Sequence, residues 1–158
     1  MPIIRVTTDI AAPPSRCFDL ARCVDAHVAS TAGTSERAIA GVTTGLLGPG
    51  DDVTWRARHF GVTQTLTSRI TAFDRPARFQ DSMVRGAFAR IVHDHEFVAT
   101  PSGTRMIDVF DFAAPLGPLG RIAERLFLNA YMTRLLERRG HVLKRLAESG
   151  EWRKFLEA

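Results

Sequence analysis

With 158 residues, 45% of them apolar and 24% charged, the chain has the size and composition of a single domain that buries its own core. No run approaches the ~20 apolar residues of a membrane-spanning helix. The N-terminus, Met1-Pro-Ile-Ile-Arg5, lacks the basic and apolar regions of a secretory signal, so a cytoplasmic location is expected. The net charge of +4 and pI near 9.8 invite a nucleic-acid reading. Scattered arginines interleaved with acids argue against it, and no nucleic-acid partner is expected; the only lysines are Lys144 and Lys154.

Ile4, Val6, Thr8 and Ile10 alternate with polar residues and predict a first strand. Ala11-Ala-Pro-Pro-Ser15 stops it and suits a helix's first turn, and Cys17, Phe18, Leu20, Ala21 and Val24 continue as a short amphipathic helix. The two cysteines, Cys17 and Cys23, would lie roughly 9 Å apart along that axis and point apart, so they read as structural thiols. Residues 25–34 read as a second short helix or turn. From residue 35 the pattern changes to alternating runs at 35–41, 51–60, 62–74, 78–86, 89–99 and 104–113, broken by glycine- and proline-rich turns. Such close spacing predicts antiparallel hairpins, because parallel strands need long crossovers.

After Ala113 the pattern becomes helical over about 116–149, with Gly150 as the stop. Leu119, Ile122, Ala123, Leu126, Phe127 and Ala130 cluster on one side of that helix. Leu128, Met132, Leu135, Val142, Leu143 and Leu146 cluster on nearly the opposite side. A straight helix on one sheet exposes one of these stripes, so either the helix breaks near Asn129 or its halves cover different things. The fold expected is α+β: one domain over 1–158, with a curved antiparallel sheet of about seven strands and two short helices after the first. A long C-terminal helix lies across that sheet, leaving room for a cavity.

Within the run Arg90–Ala99, His93 and His95 share a strand face with Ile91 and Phe97. That apolar company makes it the inner face, and two interior imidazoles need partners. The same parity gives a wall of Trp55, Ala57, His59, Leu66, Ser68, Ile70, Phe79, Asp81, Met83, Met106, Asp108, Phe110 and Phe112. Asp81 and Asp108 are the polar exceptions and the expected partners of the histidines, as a structural network or as acid–base pairs. His-x-His can hold a metal and His59 could be a third ligand, but nothing fixes the remaining ligands; no metal and no cofactor is expected. Gly41–Gly50 is glycine-rich without a P-loop ending and reads as a hairpin loop.

The chain resembles the helix-grip superfamily known as SRPBCC, which includes START lipid-transfer domains, birch-pollen-type allergens and polyketide cyclase/dehydrase-like proteins. The likeness is strongest to the small bacterial cyclase/dehydrase-like branch. It is carried by Ile10-Ala-Ala-Pro13 with Cys17-Phe-Asp19, Asp52–Gly61, Ile70-Thr-Ala-Phe-Asp-Arg-Pro76 and Phe79-Gln-Asp81. It continues through His93-Asp-His-Glu-Phe97, Gly103-Thr104 and Asp108-Val-Phe-Asp-Phe112 before Pro115. The resemblance implies binding of a hydrophobic small molecule (a lipid, quinone, polyketide or aromatic compound) between sheet and C-terminal helix. Its expected contacts are Trp55, His59, Leu66, Ile70, Phe79, Asp81, Met83, His93, His95, Phe97, Asp108, Phe110 and Phe112. The alternative it implies is a cyclase or dehydratase whose catalytic candidates are His93, His95, Asp81 and Asp108; whether the chain is an enzyme stays open. A third reading is an interaction module working through the C-terminal helix. Its partner contact, a homodimer contact among the options, would be the stripe Leu119, Ile122, Leu126 and Phe127, and the basic tail Arg134–Lys154 would serve for membrane contact.

Overall fold

The computed structural model describes residues 2–157. The first strand, β1 (Ile3–Ile10), buries Ile4, Val6 and Ile10 on one face, as its alternation requires. Two short helices follow, α1 (Pro14–Ala21) and α2 (Val24–Ser30), the first opened by prolines and the two together burying Phe18, Leu20 and Val24. Cys17 and Cys23 are free and buried. The remaining strands are β2 (Arg37–Gly41), β3 (Asp52–His59), β4 (Val62–Asp74), β5 (Arg78–Arg85), β6 (Arg90–Thr100) and β7 (Gly103–Ala113), each within two residues of its sequence expectation. They form one antiparallel sheet in the order β1-β7-β6-β5-β4-β3-β2: the chain meanders from β2 to β7, and β1 pairs with β7.

The register fixes the site. Asp81 faces His93 and Phe79 faces His95 across β5–β6, while His93 faces Phe110 and His95 faces Asp108 across β6–β7. Register shifts in β4 at Thr67/Ser68 and Ile70/Ala72 disturb the simple alternation. Thr67, which by its place between the wall residues Leu66 and Ser68 belongs to the opposite face, is buried and bonded to Thr54 at 2.8 Å.

The C-terminal helix runs unbroken through Asn129. Helix α3 (Gly117–Ala123) passes into a single wide π-type turn (Glu124–Leu128) and then α4 (Asn129–Glu148). That turn reconciles the two apolar stripes. Leu136, Leu143 and Leu146 of α4 are buried, whereas Leu119, Ile122, Leu126 and Phe127 before it are exposed. The entrance is held by Glu124, whose buried carboxylate accepts from the Ala114 amide at 2.7 Å. Leu116 just ahead takes a left-handed conformation, φ 70°.

Helix α4 lies along the β1 edge and against α1 and α2. Gly140 permits that approach, because a Cβ there would sit 2.6 Å from Thr8 Oγ1. One core cluster gathers Phe18, Phe79 and Phe97 with Leu143 and Leu146. A second gathers Ile4, Val6, Ile91, Phe110, Phe112 and Leu136. After Glu148 the tail folds back, packing Trp152, Phe155 and Leu156 on the first cluster, with Arg16 stacked 4.2 Å from the Trp152 ring centre. Among the described residues no helix is long and apolar enough to cross a membrane.

Candidate ligand cavity

Because α4 packs against β1 at one edge of the sheet, it stands off the inner face of β3–β6, and the space between them is a cavity of about 460 Å³. This lies within the range that small-molecule sites occupy, roughly 300–1,000 Å³. Its walls are largely apolar: Val53, Trp55, Ala57, Leu66, Ile70, Phe79, Ile91 and Phe110 from the sheet, and Leu128, Met132, Leu135 and Leu136 from the helix.

One polar cluster interrupts this wall. Asp108 on β7 is 1% exposed and sits beneath both histidines. Its Oδ1 is 3.0 Å from His93 Nε2 and 3.0 Å from His95 Nδ1. The first contact is a hydrogen bond. The second is off-line for one and acts as a charge contact. On its other side His95 Nε2 meets Asp81 Oδ2 at 2.8 Å. From the helix, Arg139, 6% exposed, brings Nη1 to 3.5 Å from Asp108 Oδ1, while its Nη2 donates to the Ala21 carbonyl at 3.0 Å.

Protonation follows from these distances. Burial alone would push the Asp108 carboxyl up, but the bonds and charges of His93 and His95 hold it far below the ordinary carboxylate range. Burial likewise opposes ionisation of Asp81, and His95 and His93 reverse it. An ionised carboxylate only accepts, so His93 must carry its proton on Nε2. Burial and the neighbouring His95 keep His93 below its usual value. For His95 burial works in the same direction, yet Asp108 and Asp81, one at each ring nitrogen, raise it above the usual imidazole value. The cluster therefore sets two carboxylates against the Arg139 guanidinium and a His95 ring that takes up a proton more readily than His93 does. The His95 ring is stacked between Phe79, at 4.2 Å, and His93, at 3.8 Å. His93 Nδ1 is the ring nitrogen left without a protein partner among the described residues, on a side chain lining the cavity. Asp81, His93 and His95 each bring a ligand atom within 4.8 Å of the others, close enough for a metal.

A second polar group stands across the cavity. His27 pairs with Glu36 and lies 4.3 Å from the Trp55 ring. Burial would raise the Glu36 carboxyl, and His27 lowers it on balance. His59 Nδ1 meets the Tyr131 hydroxyl at 2.6 Å, and burial lowers the His59 pKa.

Of the expected contacts, Trp55, His59, Leu66, Ile70, Phe79, Asp81, His93, His95 and Phe110 line the cavity. Four do not. Asp108 lies behind the histidines; Phe97 packs on Phe18 at 5.4 Å; Phe112 is fully buried against Phe88 and Phe110; Met83 packs on the second core cluster. Strand parity gives the face but not the depth: Asp108, Phe97 and Phe112 lie in solid core, and Met83 stays half-buried at its edge. Sequence reasoning missed Arg139, Tyr131 and Glu36. For Arg139 a signal existed: it falls on the α4 apolar stripe, three after Leu136 and four before Leu143.

A model of the family described as polyketide cyclase / dehydrase and lipid transport matches residues 1–148. The chain belongs to that family. The solved structures agree on the fold. TTHA0849 from Thermus thermophilus is 19% identical over 91% of this chain and 95% of its own, with a TM-score of 0.75. Ms6760 from Mycobacterium smegmatis is 19% identical over 91% and 89%, TM-score 0.67. CV1439 from Chromobacterium violaceum is 16% identical over 94% and 99%, TM-score 0.67. No match is found among curated proteins. At these identities the likeness shows the fold alone, and function must be argued from this chain's own cavity.

Proposed function

We propose that the protein binds a mostly hydrophobic small molecule carrying one polar end, held in the cavity between sheet and C-terminal helix. The observation that carries this reading is the cavity itself: about 460 Å³ within largely apolar walls, with polar groups fixed at a few places. Trp55, Leu66, Ile70 and Phe110 would contact the apolar body, and His93 and Asp81 would orient the polar end. Membership in a family that includes lipid transport supports it. Native mass spectrometry of gently purified protein tests it: a retained adduct of a few hundred daltons is expected. Protein that stays empty and fails to take up any of a panel of fatty acids, quinones and aromatic polyketides would sink the reading.

A second reading, acid–base catalysis in the same cavity, is favoured by one specific contact. Asp108 fixes the His93 tautomer so that the Nδ1 lone pair is available to accept a proton from a bound substrate. The neighbouring His95 imidazolium would steady the negative charge that develops. Under this reading His93→Gln removes turnover while leaving ligand retention largely intact; equal loss of both returns His93 to a binding role.

A further inference from the structure

We propose that the rim of the cavity docks the protein on an anionic lipid surface. Exposed apolar residues scattered singly are ordinary, but a contiguous set marks a contact surface. Here Leu116, Leu119, Ile122, Leu126 and Phe127 are all exposed, Leu116 and Leu126 by 77% and 74%. Leu119, Ile122 and Leu126, three and four residues apart, share one side of α3 and the wide turn, with Phe127 next to Leu126 and Leu116 just ahead of the helix. The β3–β4 tip joins it: exposed Phe60 lies 5.6 Å from Phe127 and 4.4 Å from Tyr131, ring centre to ring centre. Phe60, Phe127, Phe88 and Pro115 also line the cavity, so the patch runs without interruption into the apolar interior.

The charges around this patch have one sign. Between Ala113 and Leu136 the only acid is Glu124, which is buried and bonded to the Ala114 amide, whereas Arg121, Arg125 and Arg134 are exposed. The β3–β4 hairpin carries no acid between Val53 and Phe73, and Arg58 stands exposed beside its tip; the end of β5 adds exposed Arg85. Arg121 and Arg125 share the wall of a second groove, about 540 Å³, with Ile122 of the stripe and the bonded Glu124. Apolar tips flanked by arginines, with no exposed acid among them, match a bilayer interface bearing anionic headgroups. A second copy of the chain fits less well, because a two-fold contact would set these arginines against themselves. The basic tail is the poorer docking element: Glu137, Glu148 and Glu151 interleave its arginines, and Trp152, Phe155 and Leu156 are turned inward.

This inference goes beyond ligand binding, and its test needs no ligand. The full chain is co-sedimented with vesicles of phosphatidylcholine alone and with vesicles containing about a third phosphatidylglycerol, with at least about tenfold stronger partition expected on the anionic vesicles, weakening as salt rises. The Leu119→Asp/Leu126→Asp double variant should lose about tenfold or more of that partition, at unchanged melting temperature. Arg121→Glu/Arg125→Glu should abolish the preference for anionic vesicles. No partition, or partition indifferent to both variants, overturns the proposal. So does a dimer that Leu126→Asp dissociates, which would make the patch a contact between copies. Lost docking with ligand retention intact, or the reverse, tells the failure of one reading from that of the other.

Discussion

Asp108 on the last strand and Arg139 on the C-terminal helix approach to 3.5 Å beneath the two histidines, both almost wholly out of solvent. The contact ties the polar cluster to both layers of the fold. Removing one partner of such a pair leaves an uncompensated interior charge, which costs about 3–5 kcal/mol. Asp108→Asn is therefore expected to lower stability by about 3 kcal/mol in urea denaturation at neutral pH. Asp81→Asn, whose side chain keeps 24% of its surface on the cavity side, should cost about 1 kcal/mol. Equal losses would show that the cluster is not anchored on Asp108.

The two histidines should titrate on opposite sides of the ordinary imidazole value of about 6.5. Ring-proton NMR is expected to find His95 above it and His93 below it, and Asp108→Asn should bring His95 down. The signs for stability follow. The His95 contribution is complete below about pH 6.5 and is lost as pH rises through its folded value. His93 acts in reverse: below about pH 6.5 the unfolded chain takes up a proton that the folded chain refuses, so acidification destabilises. The Asp108 contribution is present above about pH 3.9 and is lost as pH falls through its folded value. A common midpoint for both rings would refute the charge assignment.

Filling the cavity should separate ligand binding from folding. Ala57, buried on the wall between Trp55 and His59, points its methyl group into the space. Ala57→Phe is expected to lower ligand retention by about tenfold or more while leaving the melting temperature within a few degrees, since the ring enters existing volume. Retention unchanged in native mass spectra would place the ligand elsewhere.

The closeness of α4 to β1 has its own test. A side chain at position 140 must displace Thr8, so Gly140→Val should cost about 1–3 kcal/mol. Thr8→Ala in the same molecule should recover part of that loss, a coupling that thermal or urea melts of the double-mutant cycle would reveal. Additive losses would mean that the strain is relieved by some other movement.

The sheet was legible because its alternation is regular: the runs around Trp55, His93 and Phe110 name their inner faces directly, and a shared face brings His93, His95 and Asp81 together. Depth was not legible. Phe97 and Phe112 share that face with His95 and Phe110 yet lie in solid core, because curvature decides where the sheet meets α1 and where it faces open space. Arg139 was hidden by its neighbours, since a run of arginines on a helix reads as a solvated side until the buried spacing of Leu136 and Leu143 is counted. Tyr131 and Glu36 reach the cavity only through the docking of the long helix and the path of the chain after α2. Neither has a local pattern.

The wide turn at Glu124–Leu128 has a consequence for how this architecture can vary. A helix advances about 100° per residue, and the wide turn takes up one residue more than a regular turn would. The direction faced by Leu119 and Ile122 thus depends on that turn as well as on composition. A relative one residue shorter in this stretch closes a regular turn and keeps the same side chains aimed as here, whereas one of equal length with a regular turn aims them about 100° away. The state of a single turn is enough to retune the mouth of the cavity while the sheet, the polar cluster and the rest of the helix stay as they are.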